Sequence, residues 1–454
     1  MSRRQYPQAG PTIPRRLAAT DSARLPLFGR DPNPRPAAKE TQSRTSANRI
    51  SRMRARCLLC FFLTAGAMSA AACRSPEQRQ VAVVSADDIA WLEAEARRQL
   101  AGCVIEARDG TPLYTPDGQG HYAALWTRDF AYMVENAHDL IPADRVRRGI
   151  LYLLAGQRED GCIPDRVQAD GLAVYSAGPL GKPLGDPPTD NSQFMVKLVA
   201  DYVRATGDLD FFRGVAGKLV RAMDFAPRSR DGLVTIDPAR PHSPYGFTDT
   251  IAKTGELLFS SLLYWEASRR LASLFEKAGD AARGGEFEAR AASIERNLVS
   301  LWDEKVGMFM AASVDCRQID IWGNAYAVYA GFPLGPKRER IIHYLAGNYS
   351  RVIYRGQVRH LPEPEVWGKT LIPVAPETYQ NGAYWGTASG WIAFALKERR
   401  PDLAALLIRA LITDYKRRGA YECVNAGYEK LRDYVVSVVN PLGALRRMSL
   451  ERDD

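Results

Sequence analysis

From about residue 86 onward, apolar residues recur at helical spacing, and polar or Gly/Pro-rich stretches separate one run from the next. This periodicity predicts repeated amphipathic helices. Asp87 is the expected N-cap of the first, which runs to Leu100 with Ile89, Leu92 and Ala96 on one face. The same reading places helices over 131–140, 145–154, 192–205, 210–225, 256–278, 286–302, 322–330, 337–349, 384–397, 401–418 and, more weakly patterned, 440–450, about a dozen in all. The tract 275–294, rich in Ala, Glu and Arg, suits a long solvent-facing outer helix. The connections 156–190, 227–255 and 356–381 exceed ordinary loop length and are candidates for segments that build a site.

No linker divides the body, so residues 86–454 read as one domain. Helix pairs over that length can form a bundle, a solenoid or a closed double ring, and no internal repeat supports a solenoid. The expected fold is all-α, a closed α/α toroid with its long loops gathered at one mouth.

Charge changes the reading of the N-terminus. The chain carries +9 overall, but residues 1–80 hold 15 Lys+Arg against 4 acids, which leaves 46 basic and 48 acidic residues elsewhere. A body that is nearly neutral gives no support to nucleic-acid binding. Residues 1–52, rich in Arg, Pro, Ser and Ala, are expected to be a disordered basic extension, with Met53 as an alternative start. Residues 53–73 then read as a signal peptide: Met53-Arg54-Ala55-Arg56, an apolar run from Cys57, and small residues ending at Cys73. That ending resembles the lipobox of bacterial lipoproteins, with Ala70 where Leu is usual. It implies lipidation of Cys73, residues 74–85 as a linker, and export to a bacterial cell envelope, lipid-anchored or periplasmic. Ordinary signal cleavage and an uncleaved anchor are the alternatives. Of the later cysteines, Cys103, Cys162, Cys316 and Cys423 show no zinc-ligand spacing.

Polar residues beside aromatics cluster in five places. His121 to Phe130 contains Trp126, Arg128 and Asp129, a combination suited to bidentate bonds with vicinal hydroxyls and to stacking on a sugar's C–H face; a capping Asp129 is the plainer alternative. Ser243 to Lys253 sets Asp249 near Tyr245 and Phe247, where a raised pKa would make it a proton donor, or else it is a cap. Gly419 to Asn425 carries Glu422, a second carboxylate able to activate water, or a surface residue. Asp190-Asn191 and Gln380-Asn381, the latter followed by Tyr384 and Trp385, place amides and a carboxylate beside rings, as a hydroxyl-rich ligand or simple turn chemistry would require.

Together these segments resemble the six-hairpin glycosidases, the (α/α)6 toroid shared by glucoamylase, trehalase, processing α-glucosidase and amylo-α-1,6-glucosidase. The likeness covers roughly residues 86–450. It implies that Trp126-Thr127-Arg128-Asp129 holds the sugar whose bond is cut, that Asp249 in Gly246-Phe247-Thr248-Asp249 is the general acid, and that Glu422 is the base. Glu256 competes for the acid role, and Glu429 and Asp433 for that of the base. The implied reaction is inverting hydrolysis of a glycoside, α-linked by the likeness, with no metal or organic cofactor. The expected partner is an oligosaccharide or glycoside, with the membrane reached only through the Cys73 anchor. A toroid lyase or epimerase using His121 or His242, and a non-catalytic carbohydrate-binding protein, are the alternatives.

Overall fold

The computed structural model describes residues 85–450; the basic extension, the signal segment with Cys73 and nearly all of the linker lie outside the described residues. Thirteen α-helices fall within them. They are α1 (Ala86–Gly102), α2 (Thr127–Ala137), α3 (Ala143–Ala155), α4 (Asn191–Thr206), α5 (Leu209–Phe225), α6 (Leu258–Lys277), α7 (Ala281–Asn297), α8 (Ile321–Tyr329), α9 (Lys337–Gly347), α10 (Tyr349–Val352), α11 (Ser389–Leu396), α12 (Pro401–Arg418) and α13 (Val436–Leu450).

Six of these form an inner ring, in which α2 packs on α4, α4 on α6, α6 on α8, α8 on α11, α11 on α13, and α13 closes back on α2. The outer layer is made by α1, α3, α5, α7, α9 and α12, each packed on an inner helix. The composition of each helix explains its layer. In α11 every residue is buried, and in α4 all of Asn191 to Val203, because these helices have neighbours on every side. Outer α7 buries only Gly284, Phe287, Ala291 and Ile294, a single stripe at helical spacing.

The ring has no open channel. Tyr132, Phe194, Tyr245, Phe259, Tyr326 and Trp391 pack edge to face or stacked along its axis, for example Tyr245 on Phe259 with centroids 4.2 Å apart. Beneath them, toward the C-terminal ends of the inner helices, the buried Lys197 ammonium meets Glu266 at 2.8 Å and Glu135 at 3.3 Å, while Arg270 meets Asp201 and Glu135, each at 2.8 Å. The opposite mouth, at the inner helices' N-termini, is built from loops and small antiparallel sheets. One has three strands (Ala124–Trp126, Arg166–Gln168, Ala173–Val174) and one has five (Ile353–Tyr354, Gln357–Arg359, Tyr384–Trp385, Tyr421–Asn425, Tyr428–Arg432).

Most predicted helices are present, with corrections. Ser85, not Asp87, caps α1 and accepts the Asp88 N–H, and the helix expected over 286–302 is α7, which starts five residues earlier and ends at Asn297. The helix expected at 131 begins at Thr127, so Arg128 and Asp129 lie inside its first turn. The tract 275–294 is not one helix: Gly279, at φ 87°, turns the chain between α6 and α7. The helix expected from 384 begins at Ser389, since Tyr384 and Trp385 are drawn into the five-stranded sheet.

Ring closure generates a stability prediction. Gly443 in α13 faces Asn136 of α2, whose amide donates to Asn440 Oδ1 at 2.9 Å, and a Cβ at 443 would overlap the Asn136 carboxamide. Gly443→Ala is expected to lower stability by about 1–3 kcal/mol through overpacking. Gly214→Ala, on an open face of α5 with no atom within 4 Å, is expected to raise it by about 0.4–1 kcal/mol. Thermal or urea unfolding of the two variants checks the opposite signs.

Candidate active site

At the mouth a cavity is lined by Pro116, Tyr122, Trp126, Arg128, Asp129, Gly246, Phe247, Asp249, Tyr379, Trp385, Glu422 and Tyr434. Six of the sequence-predicted residues therefore meet: Trp126, Arg128, Asp129, Asp249, Trp385 and Glu422. Segments that lead into the N-termini of inner helices deliver them: the strand before α2 and its first turn, the long loop before α6 that carries Asp249, the strand before α11 with Trp385, and the strand with Glu422 that precedes α13.

Asp249 follows a 3-10 turn, Gly246–Thr248. Its Oδ1 is buried without a hydrogen-bond partner among the described residues, as is the Trp126 indole N–H. Unpaired buried polar atoms in a cavity are groups left for a ligand to satisfy. Burial pushes the Asp249 carboxyl up to about 7, with Gln380 and Arg128 pulling against the rise and Asp165 and Glu422 adding to it.

Glu422 is held quite differently. Its Oε1 accepts from Tyr122 Oη at 2.9 Å, and its Oε2 pairs with the Lys430 ammonium from the adjoining strand, where Cys423 faces Lys430 in register. Burial raises its pKa, and Lys430 and Tyr122 oppose that rise by favouring the ionised form. Asp117 fixes the loop that aims Tyr122, accepting from the backbone N–H groups of Gln119, His121 and Tyr122. Asp129, also pushed to about 7 by burial, accepts from Tyr434 Oη at 2.7 Å.

Arg128 faces inward as much as toward the cavity. It ion-pairs with Asp165 at 2.8 Å, donates to both oxygens of Asp190 at 3.1 and 3.2 Å, and to Asn191 Oδ1 at 2.9 Å. Asp190 Oδ2 in turn accepts the Gly246 N–H at 2.9 Å, so this group sets the loop that carries Asp249. Gly246 has no alternative residue here, because a Cβ would occupy the Arg128 side chain's space.

Several other predicted residues stand behind the cavity wall. Gln380 accepts from Thr250 N–H and Oγ1 at 2.9 and 2.7 Å, bracing the same loop. Asn381 ties Trp367 N–H to Val374 O. Tyr245 is buried and bonded to Tyr132 Oη at 2.9 Å, and Tyr384 donates to Glu363 at 2.6 Å. The rival carboxylates lie outside the cavity: Glu256 accepts from Ser300, Glu429 pairs with Arg355, and Asp433 with Arg98. Of the histidines, His121 is exposed at the rim and His242 bonds a backbone carbonyl. Sequence reasoning missed Asp165, Lys430 and Tyr434. Alternating polar and apolar residues around Ala426-Gly427 carry the hairpin signal that would have paired Lys430 with the Glu422 strand; Asp165 and Tyr434 carry no local signal.

Among the described residues no group of three or more His, Cys, Asp or Glu is placed to hold a metal ion. Cys103, Cys162, Cys316 and Cys423 are buried free thiols, and no described helix is long and apolar enough to cross a membrane.

Residues 122–341 match the family described as "Mannosylglycerate hydrolase MGH1-like glycoside hydrolase domain". Three solved structures share the architecture. A GH63 mannosylglycerate hydrolase from Thermus thermophilus in complex with glucose aligns with a TM-score of 0.59 at 16% identity, over 78% of this chain and 99% of that one. A rhamnosidase from Klebsiella oxytoca with rhamnose bound gives 0.56 at 16%, over 81% and 65%. A glucoamylase from Saccharomycopsis fibuligera gives 0.55 at 12%, over 81% and 96%. The chain thus spans 65% of the rhamnosidase's length. No curated protein matches it in sequence.

The Lys430 contact can be tested without knowing a ligand. Removing its positive charge in Lys430→Met takes away the main influence opposing burial, so the Glu422 pKa is expected to rise further. Carbon-13 NMR of the labelled glutamate carboxyl reads the shift, and an unchanged titration refutes it.

Proposed function

We propose, from the premise that the chain belongs to the six-hairpin glycosidase superfamily, that it is an inverting hydrolase of an α-linked glycoside. The observation that carries this reading is the contrast between two carboxyls lining one aromatic cavity. Asp249 keeps one buried oxygen without a partner and has its pKa pushed up to about 7, whereas Glu422 is clamped by a cation and a phenol. Two titratable groups with environments pushed apart in this way suit an acid and a base.

In the reaction, Asp249 donates its proton to the glycosidic oxygen as the bond from that oxygen to the anomeric carbon breaks. Ionised Glu422 takes a proton from a water whose oxygen bonds the anomeric carbon from the opposite face. The aglycone leaves as an alcohol and the sugar with inverted configuration. Inversion calls for carboxyls roughly 6.5–9.5 Å apart. Asp129 and the Trp126 N–H offer hydrogen bonds to the sugar's hydroxyls, and Trp126, Tyr379 and Trp385 offer ring faces. The N-terminal sequence pattern supports export and a lipid anchor at Cys73.

Because mannosylglycerate, rhamnose and glucose appear with the structural neighbours, α-mannosides, α-rhamnosides and α-glucosides form the panel to test, with the released anomer followed by proton NMR. Inverted product is expected, and Asp249→Asn is expected to lower kcat about 10²–10⁴-fold. The rate should fall above about pH 7, where Asp249 loses the proton it must donate, and on the acid side as Glu422 gains one. Retained configuration would overturn the mechanism.

A further inference from the structure

A second cavity opens outward from the first and shares four walls with it: Tyr122, Trp126, Asp249 and Tyr379. Glu422 lines only the inner space, so Asp249 stands at the border between the two. On the hydrolase reading, whatever fills the outer cavity is the group that receives the acid's proton. We propose that this outer cavity is a leaving-group site for an apolar aglycone, alkyl or aryl, rather than for a second sugar.

The wall argues for that class. Its outer part is Ala123, Ala124, Pro179, Leu180, Leu184 and Ile372. Leu180 is 62% exposed and Ile372 38%, two large apolar side chains left facing water at the rim of one pocket. Apart from His121 and Gln168, the polar groups that belong to this wall alone are largely committed to the protein. Arg166 donates to Asp165 and to Gly178 O and lies over the Trp126 ring at 4.5 Å, Lys430 is paired with Glu422, and Thr250 Oγ1 donates to Gln380. A second sugar would bury its hydroxyls against groups with little bonding capacity to return, which is costly; a hydrocarbon would meet Trp126, Leu180 and Ile372 with a gain proportional to the area covered.

This inference rests on the hydrolase reading, and the experiment separates the two. Methyl and n-hexyl α-glycosides of the same sugar, prepared for glucose, mannose and rhamnose, differ little in leaving-group basicity, so a difference in rate reports on the outer cavity. The hexyl glycoside is expected to show kcat/KM at least about tenfold above the methyl. Leu180→Ser combined with Ile372→Ser, neutral replacements at exposed positions of the rim, should cut the advantage of the hexyl over the methyl glycoside to about one. Equal methyl and hexyl rates, or a disaccharide preferred over the hexyl glycoside, would refute the apolar site and leave the hydrolase reading intact. Absence of turnover for every glycoside would count against the hydrolase reading, and calorimetry then decides for the pocket: hexyl glycoside binding lost in the double variant supports it, and binding that is absent or unchanged refutes it.

Discussion

A buried guanidinium ties together the segments that make this mouth. Arg128 is 4% exposed, and its partners come from the residue before the strand Arg166–Gln168, which is Asp165, and from the start of α4, which supplies Asp190 and Asn191. Without the cation, buried Asp190 would keep only the Gly246 N–H and Asp165 only Arg166, and removing one partner of a buried ion pair costs about 3–5 kcal/mol. The same Asp190 oxygen that receives Arg128 also receives the Gly246 N–H, so the position of Asp249 is inherited from this pair. A residue that sequence patterning assigns to ligand contact is, in the fold, the anchor of the loop that carries Asp249.

The mouth and the ring beneath it differ in their electrostatics. All six inner helices start at the mouth or just beneath its loops, so their N-terminal partial positive charges favour an ionised group such as Glu422 there. Deeper in the ring the charges balance by pairing instead, with Lys197 of α4 and Arg270 of α6 among Glu135, Glu266 and Asp201. The Asp249 carboxyl is pushed up to about 7 by burial beside Phe247, with Asp165 and Glu422 adding to the rise despite the favourable dipoles.

The helical periodicity that makes the ring is local, and so it was legible: α12 occupies the predicted residues 401–418, and α3, α4, α5 and α8 differ from prediction by one or two residues at their ends. The motif around Trp126 and the carboxyls Asp249 and Glu422 were also legible as candidates, each beside aromatic residues. What the sequence hid is long-range. Tyr384 and Trp385 read as the first turn of an apolar helix, but pairing with Val358, Arg359 and Val424 across the sheet holds them extended. Whether Arg128 or Gln380 faces a ligand or a neighbouring loop depends on segments more than 60 residues away, Asp190 and Thr250, which no window of periodicity contains.

The aromatic column along the axis has a kinetic corollary. Tyr245, Phe259 and Trp391 stop the inner cavity from passing through the ring, so entry and exit share one doorway. In the proposed reaction both products leave by the mouth through which the substrate entered. A long polymer could not thread onward for another cut without first letting go.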